Sequence, residues 1–344
     1  MVYVTTKRSQ INKYVGKKLS VDEIEETLKD MGMDVKGITK DIDPELKVEI
    51  TAEKTDMVSA VGIARAIKYY RGIEKKLPEY KLDKAKEKVI VDKSANFARP
   101  KTVCAILYNI DMTQELLDEM IEIQEKIHDS FGRNRKKASI GIYPCSDFKF
   151  PVTFLAQKPK DIKFRPLESQ EEMNGLDIVT KHEKGKEFGH LLEGLDYYPV
   201  FRDSNGDVLS MPPIINSHDT GRVDLNHKEL FIEISGHNLT YLDNLLKVIV
   251  TTFIEMGASA RAVSVEYSNG EKYELEYGLW IMCIHFRLSW LSPQMDSPRP
   301  PRIFEWLSNL MAREVNLKRR RSRSPMASTL FPLLSALVYW AVAT

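Results

Sequence analysis

Apolar positions along the first 276 residues fall alternately at helical and at strand spacing. Ser20-Val-Asp-Glu23 has the form of a capping box, Ser20 accepting from the first turn while Glu23 reaches back. Ile24, Leu28 and Met31 follow at i, i+4 and i+7, and Gly32 is placed to end that helix. Residues 46–50 read as a strand, and residues 56–70, with Ile63, Ala66, Ile67 and Tyr70, as a second amphipathic helix. The charged stretch 75–87, with Pro78, reads as a linker. Beyond it, residues 89–91 and 103–107 read as strands. Thr113 caps a predicted helix whose Leu116, Leu117, Met120, Ile121 and Ile127 form one stripe. Further strands are predicted at 139–142, 152–154, 161–164, 208–209 and 231–234. Residues 239–256 carry Leu242, Leu245, Leu246, Ile249 and Phe253 at helical spacing, and 262–276 read as a hairpin with a type I′ turn at Asn269-Gly270. The pattern predicts an α+β fold: a small N-terminal α/β module over residues 1–85, then a larger mixed α/β domain over 88–276.

The run Val208-Leu-Ser-Met-Pro-Pro-Ile-Ile-Asn-Ser217 interrupts this regularity. Consecutive prolines fix two φ angles and withhold two backbone donors, so they fit neither a regular helix nor a central strand. Set between apolar residues, such a turn shapes a pocket, with Ser210, Asn216 and Ser217 as polar groups at its rim. An ordinary Pro-Pro loop is the plainer alternative.

That run, preceded by Tyr198-Pro-Val-Phe-Arg-Asp203 and Asn205-Gly206, resembles the editing domain of the β subunit of phenylalanyl-tRNA synthetase, archaeal and eukaryotic type. Matches in the same order flank it. Thr51-Ala-Glu-Lys-Thr-Asp56 with Gly62-Ile-Ala-Arg-Ala66 is similar to the family's N-terminal module. Gly132-Arg-Asn-Arg-Lys-Lys137, Ala138-Ser-Ile-Gly-Ile-Tyr143, Lys163-Phe-Arg-Pro-Leu167 and Phe231-Ile-Glu-Ile-Ser-Gly236 are similar to its B3/B4 editing domain.

A chemical problem accompanies that resemblance. A site shaped for phenylalanine rejects tyrosine weakly, because only one hydroxyl has been added, whereas a site that hydrogen-bonds the hydroxyl selects for it strongly. Proofreading therefore needs a second pocket, near a water able to attack the aminoacyl ester. The resemblance places Phe201, Ser210, Glu233 and Ser235 at the family's editing-pocket positions. Glu233 is the expected acceptor for the phenol. Strand alternation puts Ser235 on the same face, Ser210 completes the polar set, and Phe201 supplies an aromatic wall. Asn216 joins Phe201 as a substrate contact. The chain departs from the usual pattern by having Phe at 201 for an aliphatic residue, Glu for Asp at 233 and Ser for Thr at 235. Bland alternatives stand beside these roles: a surface position on an edge strand for Glu233, a purely structural role for Ser235. His218, His227 and His237 read as solvated loop residues, so water is expected to be positioned by pocket groups and the tRNA's terminal ribose. No phosphate loop, HExxH or GxSxG motif occurs, and no metal site is expected.

Charge and composition refine this. The 344 residues carry a net charge of +1, but residues 277–344 hold nine basic and three acidic groups, which leaves the body slightly acidic. RNA contact must then rest on a local patch, and Arg133, Arg135, Lys136 and Lys137 are the candidates, with a solvated surface run as the alternative. Three widely spaced cysteines fit a reducing compartment, and Met1-Val-Tyr-Val lacks a signal-peptide layout, so a cytoplasmic location is expected. The tail 277–344 holds all four tryptophans, an arginine run at 319–323 and an apolar end at 326–344. It reads as a frameshifted or misjoined segment, disordered or membrane-prone, or else as a short anchor. The resemblance implies that charging with ATP and Mg2+ belongs to the complete enzyme with its α subunit. The family's later modules, which contact α, are not visible here. Two functions are open: hydrolysis of tyrosyl-tRNA(Phe), or a non-catalytic RNA- or partner-binding fragment.

Overall fold

The computed structural model describes residues 2–276, apart from 52–53, 75–77 and 79. The tail and its anchor and frameshift readings lie outside the described residues. In the N-terminal part, strands β1 (Val2–Lys7), β2 (Asp34–Ile38) and β3 (Glu45–Ile50) form an antiparallel sheet in the order β1-β3-β2. Helices α1 (Arg8–Val15), α2 (Val21–Asp30) and α3 (Ala60–Tyr70) accompany it, burying Ile11, Val15, Ile24, Leu28, Ile63 and Ile67. The capping box at α2 is present: Ser20 Oγ accepts from Glu23 N at 3.1 Å, and Glu23 accepts from Ser20 N at 2.8 Å. Helix α3 starts later than its apolar pattern suggests, at Ser59, whose hydroxyl accepts from Gly62 N.

Two sheets dominate the larger part. The first holds β5 (Lys101–Tyr108), β6 (Ala138–Pro144), β13 (Leu230–Gly236) and β14 (Ser259–Ala262) in the order β14-β5-β13-β6. The second holds β4 (Lys88–Val91), β7 (Val152–Gln157), β10 (Tyr198–Arg202), β11 (Val208–Met211), β12 (Ile215–Asn216), β15 (Ser264–Tyr267) and β16 (Lys272–Tyr273), in the order β12-β11-β10-β7-β4-β15-β16. A two-stranded ribbon, β8 (Lys163–Phe164) with β9 (Met173–Asn174), forms a separate small sheet whose Phe164 packs with Val200 and Val208 of the second. Helices α4 (Gln114–Asp129) and α8 (Leu239–Glu255) bury Ile123, Ile127, Leu242 and Ile249 with Val103, Ile232 and Ile234 of the first sheet. The opposite face of that sheet, with Ile106 and Phe231, meets Phe154, Phe201 and Val265 of the second. Short helices α5 (Gly175–Lys181) and α6 (Glu183–Phe188) join Val200 and Val208 in a further cluster, and α7 (His218–Gly221) follows β12.

Three readings from the pattern are corrected. Ile121 is 51% exposed, because Met120, Ile123 and Ile127 define the buried stripe of α4 and a residue 100° beyond Met120 leaves it. The turn after β15 is not type I′. Gly270 alone has positive φ, at +87°, and Gly270 N donates to Tyr267 O, the pattern of a type I turn closed by a glycine bulge. Residues 83–87 are fastened rather than free: Asp83 exchanges backbone bonds with Ala260 and Ala262, and Glu87 pairs with Arg261 at 2.9 Å. The two parts are joined as well, since Arg65 of α3 pairs with Glu255 of α8 at 2.9 Å, and Tyr14 donates to Glu119 at 3.2 Å.

Candidate functional site

Antiparallel register on β13 stacks three rungs of side chains on the face turned toward the second sheet. Ser235 lies between Thr102 and Ser139, Glu233 between Cys104 and Gly141, and Phe231 between Ile106 and Tyr143. β13 is therefore an inner strand, and Glu233, 2% exposed, is the reverse of an edge-strand surface residue. Period-two alternation puts Glu233 and Ser235 together, as the sequence suggested. Tyr143 leans back along β6 over Gly141. A Cβ there would stand 2.0 Å from the phenol oxygen and 2.6 Å from Glu233 Oε1, so only glycine leaves room for the ring.

The Tyr143 phenol lies 2.7 Å from Ser210 Oγ and 3.0 Å from Glu233 Oε1. Its single proton serves one contact, and an O–H from Ser210 or from the Glu233 carboxyl completes the other. Glu233 Oε2 has no hydrogen-bond partner among the described residues. Burial pushes the carboxyl up to about 8, against the opposing influence of the Tyr143 phenol, Arg99 and Ser235. At neutral pH it is a protonated acid, able to donate as well as accept, and it is not a carboxylate base. Burial, then Glu233, raises Tyr143 well above the usual phenol range, so the phenol stays neutral.

The second sheet supplies the facing wall. β10 and β11 pair Phe201 with Ser210, and Phe201 stacks on Phe154 with centroids 4.2 Å apart. Ser210 in turn pairs with Asn216 of β12, whose Nδ2 donates to Ile142 O at 3.4 Å. The Pro212–Pro213 bond between these strands is cis, and Ile214 N closes the turn onto Met211 O. The proline run thus shapes the wall that carries Ser210.

Arg135 parts company with the rest of the basic run. It is buried, donating to Ile214 O at 2.9 Å, Pro213 O at 3.3 Å and Glu125 at 3.1 and 3.3 Å, with its guanidinium over Phe188. Its place is structural: it braces the proline turn against α4. Residues 133–135 all have φ between +50° and +64°, a left-handed turn costly for side-chain-bearing residues. Arg133, Lys136 and Lys137 remain exposed, with Lys137 Nζ 5.3 Å from the Tyr241 ring centroid.

Arg99, which carries no sequence signal, reaches the same floor. Its Nε donates to Ser235 Oγ at 3.3 Å, and Nη2 to Ser235 O at 2.7 Å and Arg135 O at 3.3 Å. Ser235 Oγ also contacts Ser139 Oγ at 3.1 Å. Burial pulls Arg99 down to about 10, which leaves it charged at neutral pH. It lines a cavity of about 300 Å³ with Lys136, His190, His237, Pro199 and Pro213. His237 is exposed as expected, and burial, then Arg99, holds it below its ordinary value. His227 is not solvated: its Nδ1 accepts from Asp224 N, and its side chain is 14% exposed. Tyr143, Arg99, Ser139 and Gly141 were assigned no role from sequence. The alternation Ser139-Gly141-Tyr143 was the one available hint.

No protein-family model matches the chain. Among curated proteins, it is 38% identical over 270 residues to the phenylalanine–tRNA ligase β subunit of Thermococcus sibiricus, covering 77% of this chain and 48% of that protein. The same β subunit of Pyrococcus horikoshii is 38% identical over 267 residues, covering 77% and 48%. The chain spans about half the length of these curated relatives. Among solved structures, an N-terminal fragment of the phenylalanyl-tRNA synthetase β subunit from Pyrococcus horikoshii superimposes with a TM-score of 0.75 at 36% identity, covering 80% of this chain and 79% of that fragment.

Proposed function

Because the chain belongs to the phenylalanine–tRNA ligase β-subunit family, we propose that it binds tRNA(Phe) and hydrolyses tyrosine wrongly attached to it. One observation carries this reading: Ser210 and Glu233 already hold a phenol, that of Tyr143, at 2.7 and 3.0 Å. A tyrosyl side chain in place of Tyr143 would meet the same two partners. A phenylalanyl group there would leave a buried carboxyl and hydroxyl unpaired, which is the strong form of discrimination.

In the reaction a water oxygen bonds to the ester carbonyl carbon. The bond from that carbon to the ribose oxygen breaks, and the ribose oxygen leaves with a proton. Ser235 and Ser139 can orient the water, and Arg99 can stabilise the developing oxyanion. Glu233, neutral at pH 7, recognises the side chain and does not deprotonate the water. Proton removal falls to the terminal ribose of the tRNA, acting with the water itself.

ATP- and Mg2+-dependent charging is assigned to the complete synthetase with its α subunit. Among the described residues no three metal-ligating side chains gather. A cytoplasmic location accords with a role in translation. Among the described residues no helix is long and apolar enough to cross a membrane.

A second reading also has an observation in its favour. Tyr143 fills the position a substrate phenol would take, which suits a non-catalytic fragment that keeps the fold and binds RNA or a partner. Deacylation by the full chain separates the two. Tyrosine is expected to leave tyrosyl-tRNA(Phe) at least about tenfold faster than phenylalanine leaves phenylalanyl-tRNA(Phe). No acceleration of either over buffer establishes the non-catalytic reading.

A further inference from the structure

Two tyrosines, Tyr143 and Tyr267, are buried in the cluster between the two large sheets, and their hydroxyls are satisfied differently. Tyr267 uses main chain: it donates to Thr102 O at 2.7 Å and accepts from Thr102 N at 3.2 Å. Tyr143 meets two side chains, Ser210 Oγ at 2.7 Å and Glu233 Oε1 at 3.0 Å. Glu233 Oε2 has no hydrogen-bond partner among the described residues. A carboxyl buried to serve one structural phenol costs more than a backbone carbonyl would, and Tyr267 shows that a carbonyl suffices. The surroundings of the ring point the same way. Gly141 lies against it, and a Cβ at Gly221 of α7 would stand 3.4 Å from the ring and 2.9 Å from Asn216 Cβ. No side chain interlocks with the ring at these two places, and its aromatic neighbour Phe231 lies 5.8 Å away between centroids.

We infer that Tyr143 is an internal plug: its phenol occupies a phenol-binding pocket made by Ser210 and Glu233, and a tyrosyl side chain binds there by displacing it. The inference deepens the hydrolysis reading and rests on it for the substrate. Exchange of one phenol for another conserves both hydrogen bonds. A side chain without the hydroxyl displaces Tyr143 and replaces neither bond. The plug penalises every entrant alike, because all must leave the same closed state. It therefore sets how tightly the pocket binds, while Ser210 and Glu233 set which side chain it prefers.

The test is equilibrium binding of p-cresol, the tyrosine side chain in isolation, and of toluene to the full chain by titration calorimetry. Tyr143→Phe keeps the ring and removes the hydroxyl that holds the plug closed. Loss of two buried hydrogen bonds from the closed state is expected to tighten p-cresol at least about tenfold over wild type. Toluene should tighten by the same factor, so that a preference of at least about tenfold for p-cresol is common to both proteins. A tyrosine that is only part of the core would behave otherwise: Tyr143→Phe would lower stability in chemical denaturation and open no phenol site. Unchanged p-cresol affinity in the folded variant, or p-cresol no tighter than toluene, overturns the inference. Single-turnover deacylation of tyrosyl-tRNA(Phe) below saturation, expected to be several-fold faster in Tyr143→Phe, keeps the two readings apart. Tighter p-cresol with no deacylation by either protein sinks hydrolysis and leaves the plug standing. Deacylation by wild type with unchanged p-cresol affinity in the variant does the reverse.

Discussion

Replacing Arg135 by methionine is expected to remove roughly 2–4 kcal/mol of stability, the cost of leaving buried acceptors without donors. Methionine keeps much of the apolar volume, so the loss reports the guanidinium and not a cavity. Ile214 O and Pro213 O, carbonyls of buried residues, lose their donor, and Glu125 loses two contacts. The left-handed turn at 133–135 also loses what offsets its strain. Glu125 does not compensate. Burial acts to raise its pKa, but His128 and Arg135 outweigh burial and hold the carboxyl low. Chemical denaturation of wild type and variant measures the difference. A change below about 0.5 kcal/mol, the range of ordinary surface substitutions, would return Arg135 to the exposed basic patch.

The second large effect is on pH. The folded chain keeps the Glu233 proton up to about pH 8, while the unfolded chain releases it near the ordinary carboxyl value of 4.5. Stability from this group is therefore fully present below about pH 4.5 and is lost as pH rises to about 8, on the order of 5 kcal/mol in all. Glu125 acts in the opposite sense and in a lower window, because its folded pKa is depressed. His128, also depressed, opposes Glu233 up to its ordinary value of 6.5. Comparing wild type with Glu233→Gln cancels both. Gln keeps the size and hydrogen-bonding capacity but has no proton to lose. Wild type is expected to lose stability relative to Glu233→Gln across this window. Parallel stability curves would place the Glu233 carboxylate in contact with solvent or paired with Arg99.

Much of the fold was legible because its signals are local. Ser20 and Thr113 cap the helices their positions announce, and both accept the backbone donors expected of them. The strand β1 and the helix α1 were missed for a local reason too. Lys7, Arg8, Lys13, Lys17 and Lys18 crowd a stretch whose buried positions are few: Val4, Thr6, Ile11 and Val15. The site was legible where strand alternation reaches, namely Glu233 with Ser235. It was illegible where partners come from distant strands. Arg99 meets Ser235 across 136 positions of sequence, and Tyr143 meets Glu233 across 90, distances no periodicity spans. The basic run 133–137 shows the same limit in reverse. Four similar side chains read as one patch, and only the proline turn packed beneath Arg135 draws it inside.

Those distant partners also alter the chemistry read from the sequence. Glu233 was expected to accept a phenol, and it is held in the protonated state while already in contact with one. Whether that contact marks a recognition site or a closed one is a question of rate. Single-turnover deacylation of tyrosyl-tRNA(Phe) by wild type and by Glu233→Ala tests it most directly, with tRNA affinity measured alongside. The account predicts at least about a hundredfold slower release of tyrosine by the variant, with affinity for uncharged tRNA retained. Equal rates for the two proteins would contradict it.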